Sequence, residues 1–548
     1  LLQLCADRIE ALLDSHLDLN RKVAGATVLL TYCNLSNRLQ RGQGIVSRMQ
    51  ALIECDEVTP LNRVWWYCRL TWLLSACGRN DDVDAPTCRA HEIVETHGLK
   101  GLRGTSVILD AHLHMAMLGR RDWKRAAELS RRLTEAARLS RPSDQWLASN
   151  ARLCLALAMG DVEGALREFP RTIEASAPTG MVLLEIVSEA FAAETLAEAG
   201  RAGEALEHVQ RCRHLIGGTC FAYLEPELRV VEAYVARRKG DMVDCHVLLA
   251  DAFALAKRTD GMWRHARFFR QVLPTMCSEA LSAAIEPDYV RSLIRRFALR
   301  PTSLENEAWP WPVKIYTLGC FEIWRGSQAL EFPHKAPRKQ LLVLKVLLAF
   351  GGRDVPARRL TDAIWADEDG DASWRALSVN LARLRALLGS QDAITVSDER
   401  VSLNPECCWW DARAFERLRA EDHAGLDEAL AVYRGSFLPA EADQPWSVPL
   451  RERLRARFVR YLRHRAARLE ADGAWVHAVD LYARGIETDD LAEDLYQGLM
   501  RCYRALGRPA EGLAAYRRLR QMLSVVLGIA PTPDSDALYR ALADLGAA

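Results

Sequence analysis

Three observations predict a mainly α chain. Glycines return at intervals of 41, 41, 40 and 40 residues through the first 300 positions, short β-type alternation breaks in after residue 312, and helical spacing resumes after residue 411. The fold class these imply is an α-solenoid of helical hairpins, then an α+β segment, then a second helical-repeat region. The corresponding domains are 1–300, a linker at 301–312, 313–410 and 411–548.

Composition narrows the function classes. At roughly 100 to 200 residues per domain, 548 residues hold three or more domains. Lys plus Arg equals Asp plus Glu at 72 each, so bulk charge points to no polyanionic partner and any basic site must be local. The longest uncharged stretch, 23–37, has 15 residues, short of the ~20 a membrane-spanning helix needs, so no membrane partner is expected. The chain opens LLQLCADRIE, without an initiator Met or a signal pattern, and reads as beginning partway through a longer protein. Fifteen cysteines without a C-x-x-C pair or zinc-type Cys/His spacing fit free thiols in a reducing cytoplasm, with no metal site. No nucleophile, base and acid stand together, so neither catalysis nor a cofactor is expected.

In the first region the periodic glycines are Gly78, Gly119, Gly160, Gly200 and Gly240. Three of them open the phrases GDVEGAL, GRAGEAL and GDMVDCH, each with a small residue five positions on, at Ala165, Ala205 and Cys245. A left-handed glycine ends one helix and the small residue lets the next pack closely against it, which makes a helical hairpin. The region resembles the tetratricopeptide-like arms of MalT-like bacterial regulators. That resemblance implies a sensor for a peptide or small-molecule effector, and a spacer that positions other domains is an equal reading. His112 and His114, or the cluster Trp65, Trp66 and Tyr67, would suit a metal site or an aromatic cage, but helical spacing already accounts for them as packing residues.

The linker PTSLENEAWPWP carries three prolines and reads as exposed. After it, VKIYTLGCFEIW, GSQAL and EF alternate as strands, three helices follow at 335–350, 356–365 and 371–388, and AITVSDERVSLN forms a hairpin. Strands, three helices and a hairpin is the order of a winged helix whose third helix enters the major groove. With its TLGCFEIW opening, the segment PRKQLLVLKVLLAFGGRDVPARRLTDAIW, the helix LARLRALLG and the exit SDERVSLNPECCWWD, residues 313–410 resemble the OmpR/PhoB-type winged helix of large bacterial transcriptional activators.

Leu377, Leu381, Leu384 and Leu388 recur at four, three and four, which turns one stripe of the third helix to the core. Arg375, Val379, Ala382, Arg383 and Ala386 fall on the opposite face, where small alanines admit the helix deep into a groove, Arg383 reaches base edges and Arg375 reaches phosphate. Ser378, Asn380 and Arg385 flank that face as donors toward the sugar-phosphate walls. The resemblance matches Arg383 to a base-contacting arginine, Trp365, Arg375, Asn380 and Arg385 to backbone contacts, and Arg400 to the wing in the adjacent minor groove. Members of that family commonly carry a basic residue where this chain has Ala382, and here Asp398 and Glu399 stand beside Arg400, which implies modest phosphate affinity. The acidic loop DEDGD, 367–371, lies where the resemblance implies contact with RNA polymerase, and a solvated acidic loop is an equal reading.

Past residue 411, Gly473 and Gly507 are 34 apart and each is followed at five positions by a small residue, Ala478 and Gly512. With YRGSFLPAEADQPW and the exit LGIAPTPDSDALY, this stretch resembles the bacterial transcriptional activator domain. Eight arginines at 451–468 are read as a solvated helix face in preference to a second DNA surface. The function expected is a sequence-specific, double-stranded-DNA-binding transcriptional regulator, an activator by resemblance. Two alternatives stand beside it. One is an ATP-dependent switch whose NTPase lies upstream, since MalT-like proteins place one there and G-x-x-x-x-G-K-[ST] is absent from these residues. The other is an interaction scaffold whose winged helix binds protein.

Overall fold

A computed structural model describes residues 2–99, 103–137, 141–219, 221–258, 271–332, 337–366, 370–418 and 423–547. The fold is mainly α, with seven short strands among the described residues. The chain divides into two compact units, Leu1–Ser303 and Leu304–Ala548.

The first unit is built of antiparallel helical hairpins. Helix Pro142–Met159 packs on Val162–Ser176, Val182–Glu198 on Ala202–Ile216, and Glu225–Lys239 on Met242–Arg258. At the first of these corners Gly160 takes φ 78° and ends its helix, while the carboxylate of Asp161 accepts from the Gly164 amide and starts the next. The small residues that follow, Ala165, Ala205 and Cys245, are fully buried where the paired helices meet. Gly160→Val is expected to lose about 1–2 kcal/mol through the left-handed backbone alone. A thermal unfolding midpoint unchanged from the parent chain would count against this turn as a structural requirement.

One repeat glycine has a different job. Gly119 lies inside helix Arg103–Arg120, and the left-handed turn falls two residues later at Arg121, with φ 63°. A Cβ at position 119 would collide with the Asn80 side chain, so this glycine serves close approach and not helix termination.

The second unit opens with β1 (Val313–Tyr316), β2 (Glu322–Arg325) and β3 (Gln328–Ala329). Helices Arg338–Ala349, Ala357–Ile364 and Gly370–Leu388 follow, with β4 (Val355–Pro356) before the second of them, then the hairpin β5 (Ile394–Ser397) and β6 (Arg400–Leu403), and finally β7 (Cys408–Trp410). Strand order is β3-β2-β1-β7 in one sheet and β4-β6-β5 in the other. β7 returns parallel to β1, pairing Val313 with Cys408 and Ile315 with Trp410. Alternation alone did not foretell this fourth strand. Asp398 and Glu399 form the tip between β5 and β6 with φ 49° and 57°, the conformation a tight two-residue hairpin requires.

Seven further α-helices among the described residues complete the unit, from Asp411–Arg417 to Pro533–Ala547. One hydrophobic core runs without interruption from Val313 and Ile315 through Leu344 and Leu381 to Phe458, Tyr496 and Leu542. The α+β segment and the C-terminal helices are therefore one packed body. The Asp411 carboxylate at their junction is fully buried and accepts from the Thr317 amide, the Thr317 hydroxyl and the amides of Leu318 and Ala412, at 2.6–2.9 Å. Burial pushes this carboxyl up to about 6 even though those hydrogen bonds pull the other way. Lys345 on the first helix pairs with Glu441 across the same junction, and Leu318 bridges to Phe437.

The linker also departs from its reading as exposed chain. Trp309 and Trp311 are 3% and 1% exposed, the Trp409 indole donates to Glu305 O, and Arg417 pairs with Glu305 at 2.7 Å. Two large aromatic rings outweigh the prolines, and 304–312 folds as part of the second unit.

Candidate nucleic-acid interface

Helix Gly370–Leu388 packs against Arg338–Ala349 and Ala357–Ile364. Leu377, Leu381, Leu384 and Leu388 are all buried in the core. The opposite face is open: Arg375, Ser378, Val379, Ala382, Arg383 and Ala386 are exposed. Neither Arg375 nor Arg383 makes a hydrogen bond or ion pair among the described residues. Two unpaired guanidinium groups therefore flank a strip of small side chains, with Val379 half exposed between them and Trp374 39% exposed at the edge. Trp374 was not singled out in the sequence. Its signal was an aromatic four residues before Ser378, where the pattern otherwise places polar side chains.

The other predicted site residues are held differently. Ser378 is exposed, and its hydroxyl donates to Trp374 O at 3.0 Å. Asn380 is turned inward, accepting from Gln340 Nε2 and donating to Ala376 O, both at 2.8 Å, and so locks this helix to the first. Arg385 donates through Nε to Ile394 O at 2.8 Å and ties the helix to β5. Trp365 is 8% exposed and belongs to the core, with Lys339 5.6 Å above its ring. Arg400 is the first residue after the hairpin tip and donates through Nη1 to Asp354 O at 2.7 Å. Of the residues expected to form the site, two arginines and Ser378 are thus open on the helix, and Arg400 is anchored on the β5–β6 hairpin. Trp365, Asn380 and Arg385 make contacts that position the helix. Residues 367–369 of the acidic DEDGD loop lie outside the described residues.

The arginine-rich segment 451–468 is neither a free basic surface nor a simply solvated one. Arg451 caps the carbonyls of Phe437, Leu438 and Glu441, Arg457 donates to Leu418 O, and Arg453, Arg463 and Arg465 pair with Glu416, Asp494 and Asp427. These side chains tie the C-terminal helices together. Among the described residues no group of His, Cys, Asp and Glu is arranged to hold a metal ion, and no helix is long and apolar enough to cross a membrane.

The C-terminal half of this unit has a family match. Residues 411–543 match the bacterial transcriptional activator domain. Two curated relatives are regulatory proteins named AfsR. The one from Streptomyces griseus is 27% identical over 236 residues, which is 40% of this chain and 24% of the relative. Its counterpart from Streptomyces coelicolor is 27% identical over 268 residues, 45% of this chain and 27% of the relative. The matches span about a quarter of each relative's length. Among solved structures, Mycobacterium tuberculosis EmbR in complex with a low affinity phosphopeptide is 21% identical, with 42% of this chain and 65% of that one covered at a TM-score of 0.36. The transcriptional activator domain and the open helix face lie in one body with one core.

Proposed function

We propose that the chain is a transcriptional regulator that binds double-stranded DNA by laying helix Gly370–Leu388 in the major groove, in the manner of an OmpR/PhoB-type winged helix. The observation that carries this reading is the pair Arg375 and Arg383, exposed and without partners among the described residues, on a face that also holds Ser378, Ala382 and Ala386. Arg383 reads a base edge through its planar fork, Arg375 and Ser378 bind phosphate, and Val379 packs on a thymine methyl. Arg400 lies on the wing beside the neighbouring groove. The activator-domain match behind this segment and the likeness to regulatory proteins support the same reading. RNA polymerase as a partner of residues 367–371 belongs to the proposal as well.

The exposed Trp374 and Val379 favour a second reading in which this face meets a protein. Selection of duplexes from a random library by the full chain, followed by gel-shift titration against unrelated competitor, separates the two. Enrichment of a defined sequence is expected. Absence of any enriched duplex would set the DNA reading aside in favour of the protein surface.

A further inference from the structure

The first unit has a partly open cavity of about 330 Å³ on one side of its helical hairpins. It is walled by helices Leu19–Leu35, Pro60–Ala76, Arg103–Arg120, Pro142–Met159 and Val182–Glu198, so successive repeats each contribute a wall. Most of the lining is apolar, with Trp72, Ile108, Met115, Trp146 and Leu184 presenting rings and flexible or branched apolar chains. That size and character suit a small organic molecule.

Three polar side chains in the lining depart from ordinary packing. His114 is 1% exposed, and neither ring nitrogen has a hydrogen-bond partner among the described residues. Helical spacing makes it a packing residue, and it is buried, but its ring nitrogens are unsatisfied among the described residues. Its neighbour His112 does pack, stacked on Trp72 and within 3.1 Å of the Thr71 hydroxyl. Asn150 buries its side-chain oxygen, also without a partner. Arg69 leans on the Trp65 ring, and its guanidinium makes no hydrogen bond or ion pair among the described residues. Among the described residues, no Asp or Glu stands in the lining.

A buried polar group without a partner is costly, and Arg69, partly buried, carries a charge with no carboxylate beside it among the described residues. Burial lowers the pKa of Arg69 and brings His114 down to about 4, which leaves the imidazole neutral with one N–H and one bare nitrogen to offer. An all-hydrocarbon occupant would leave these three groups unsatisfied. A carboxylate supplies the charge Arg69 lacks, in the bidentate geometry a guanidinium favours. A second polar substituent on the body of the molecule supplies His114 and Asn150.

We propose that this cavity is a binding site for an apolar carboxylic acid that carries a second hydrogen-bonding group such as a hydroxyl. Arg69 pairs with the carboxylate, His114 and Asn150 hold the hydroxyl, and Trp72, Trp146 and the aliphatic lining take up the chain. The site uses walls from five helices of the repeat, so occupancy stiffens the hairpins against one another.

The test uses the full chain and three eight-carbon compounds, β-hydroxyoctanoate, octanoate and octanol, with binding followed by calorimetry and by the shift of the first unit's melting transition. β-Hydroxyoctanoate is expected to bind most tightly, and octanoate roughly tenfold more tightly than octanol. Arg69→Met, which keeps the apolar stem, is expected to erase the preference for the acid while octanol binding persists; Leu184→Trp is expected to fill the space and abolish all three. Equal binding of octanoate and octanol by the parent chain would overturn the proposal without reference to any variant. So would binding of none of the three, or an acid preference that survives Arg69→Met.

Discussion

Asp411→Ala is expected to cost the second unit about 3–6 kcal/mol. The carboxylate is fully buried and satisfies three backbone amides and one hydroxyl, at Thr317, Leu318 and Ala412. Removing it leaves those donors in a site closed to water, each at about 1–3 kcal/mol, and deletion of the carboxylate's own desolvation offsets only part of the sum. Asp411→Asn should lose less, because the amide keeps one accepting oxygen, although its NH2 group then faces donors. The readout is amide hydrogen exchange at Thr317 and Leu318 together with the urea midpoint of the full chain. Unchanged protection at both amides in Asp411→Ala would show that the sheet and the C-terminal helices are held by their common hydrophobic core alone. A large loss would make this one carboxylate the fastening between the scaffold of helix Gly370–Leu388 and the C-terminal helices.

That fastening shows what could and could not be read from the residues. The leucine spacing of helix Gly370–Leu388 is a local signal, since four side chains on one stripe need a core whatever packs there, and all four are buried. The hairpin was legible for the same reason, alternation on both sides of a polar pair. Asn380 and Arg385 looked like outward donors because their place on the helix flanks the open face. Whether such a group points out or in depends on what the fold brings near it, and Gln340 lies 40 residues upstream while Ile394 belongs to the hairpin. Likewise β7 pairs with a strand about ninety residues earlier, and nothing in CCWW announces the partner. The 40-residue period was visible through its glycines, yet at Gly119 the same letter stands for close packing against Asn80 and Arg121 makes the turn. Periodicity is written in the chain locally; the pairing of polar groups is decided by tertiary neighbours.

Arg383→Ala is expected to collapse discrimination between the selected duplex and random DNA by about tenfold to a hundredfold, the 1–3 kcal/mol a base-reading arginine supplies. The side chain is exposed, has no partner among the described residues, and projects from the face opposite the buried leucines, so its loss disturbs no packing. Arg375→Ala acts on phosphate and should weaken both duplexes alike, with the salt dependence of binding flattened by roughly one unit of slope. Arg385 differs from both. Because its Nε holds Ile394 O, Arg385→Ala should loosen β5 and the wing, raise hydrogen exchange across the hairpin, and reduce binding to all sequences without selectively erasing specificity. The three variants therefore carry three signatures, in discrimination, in salt slope and in exchange, and titrations of each against specific and random duplexes at several salt concentrations distinguish them. Full discrimination by Arg383→Ala would mean that another face of the unit meets the bases, and the open strip of Ala382, Ala386 and Val379 would then belong to a protein contact.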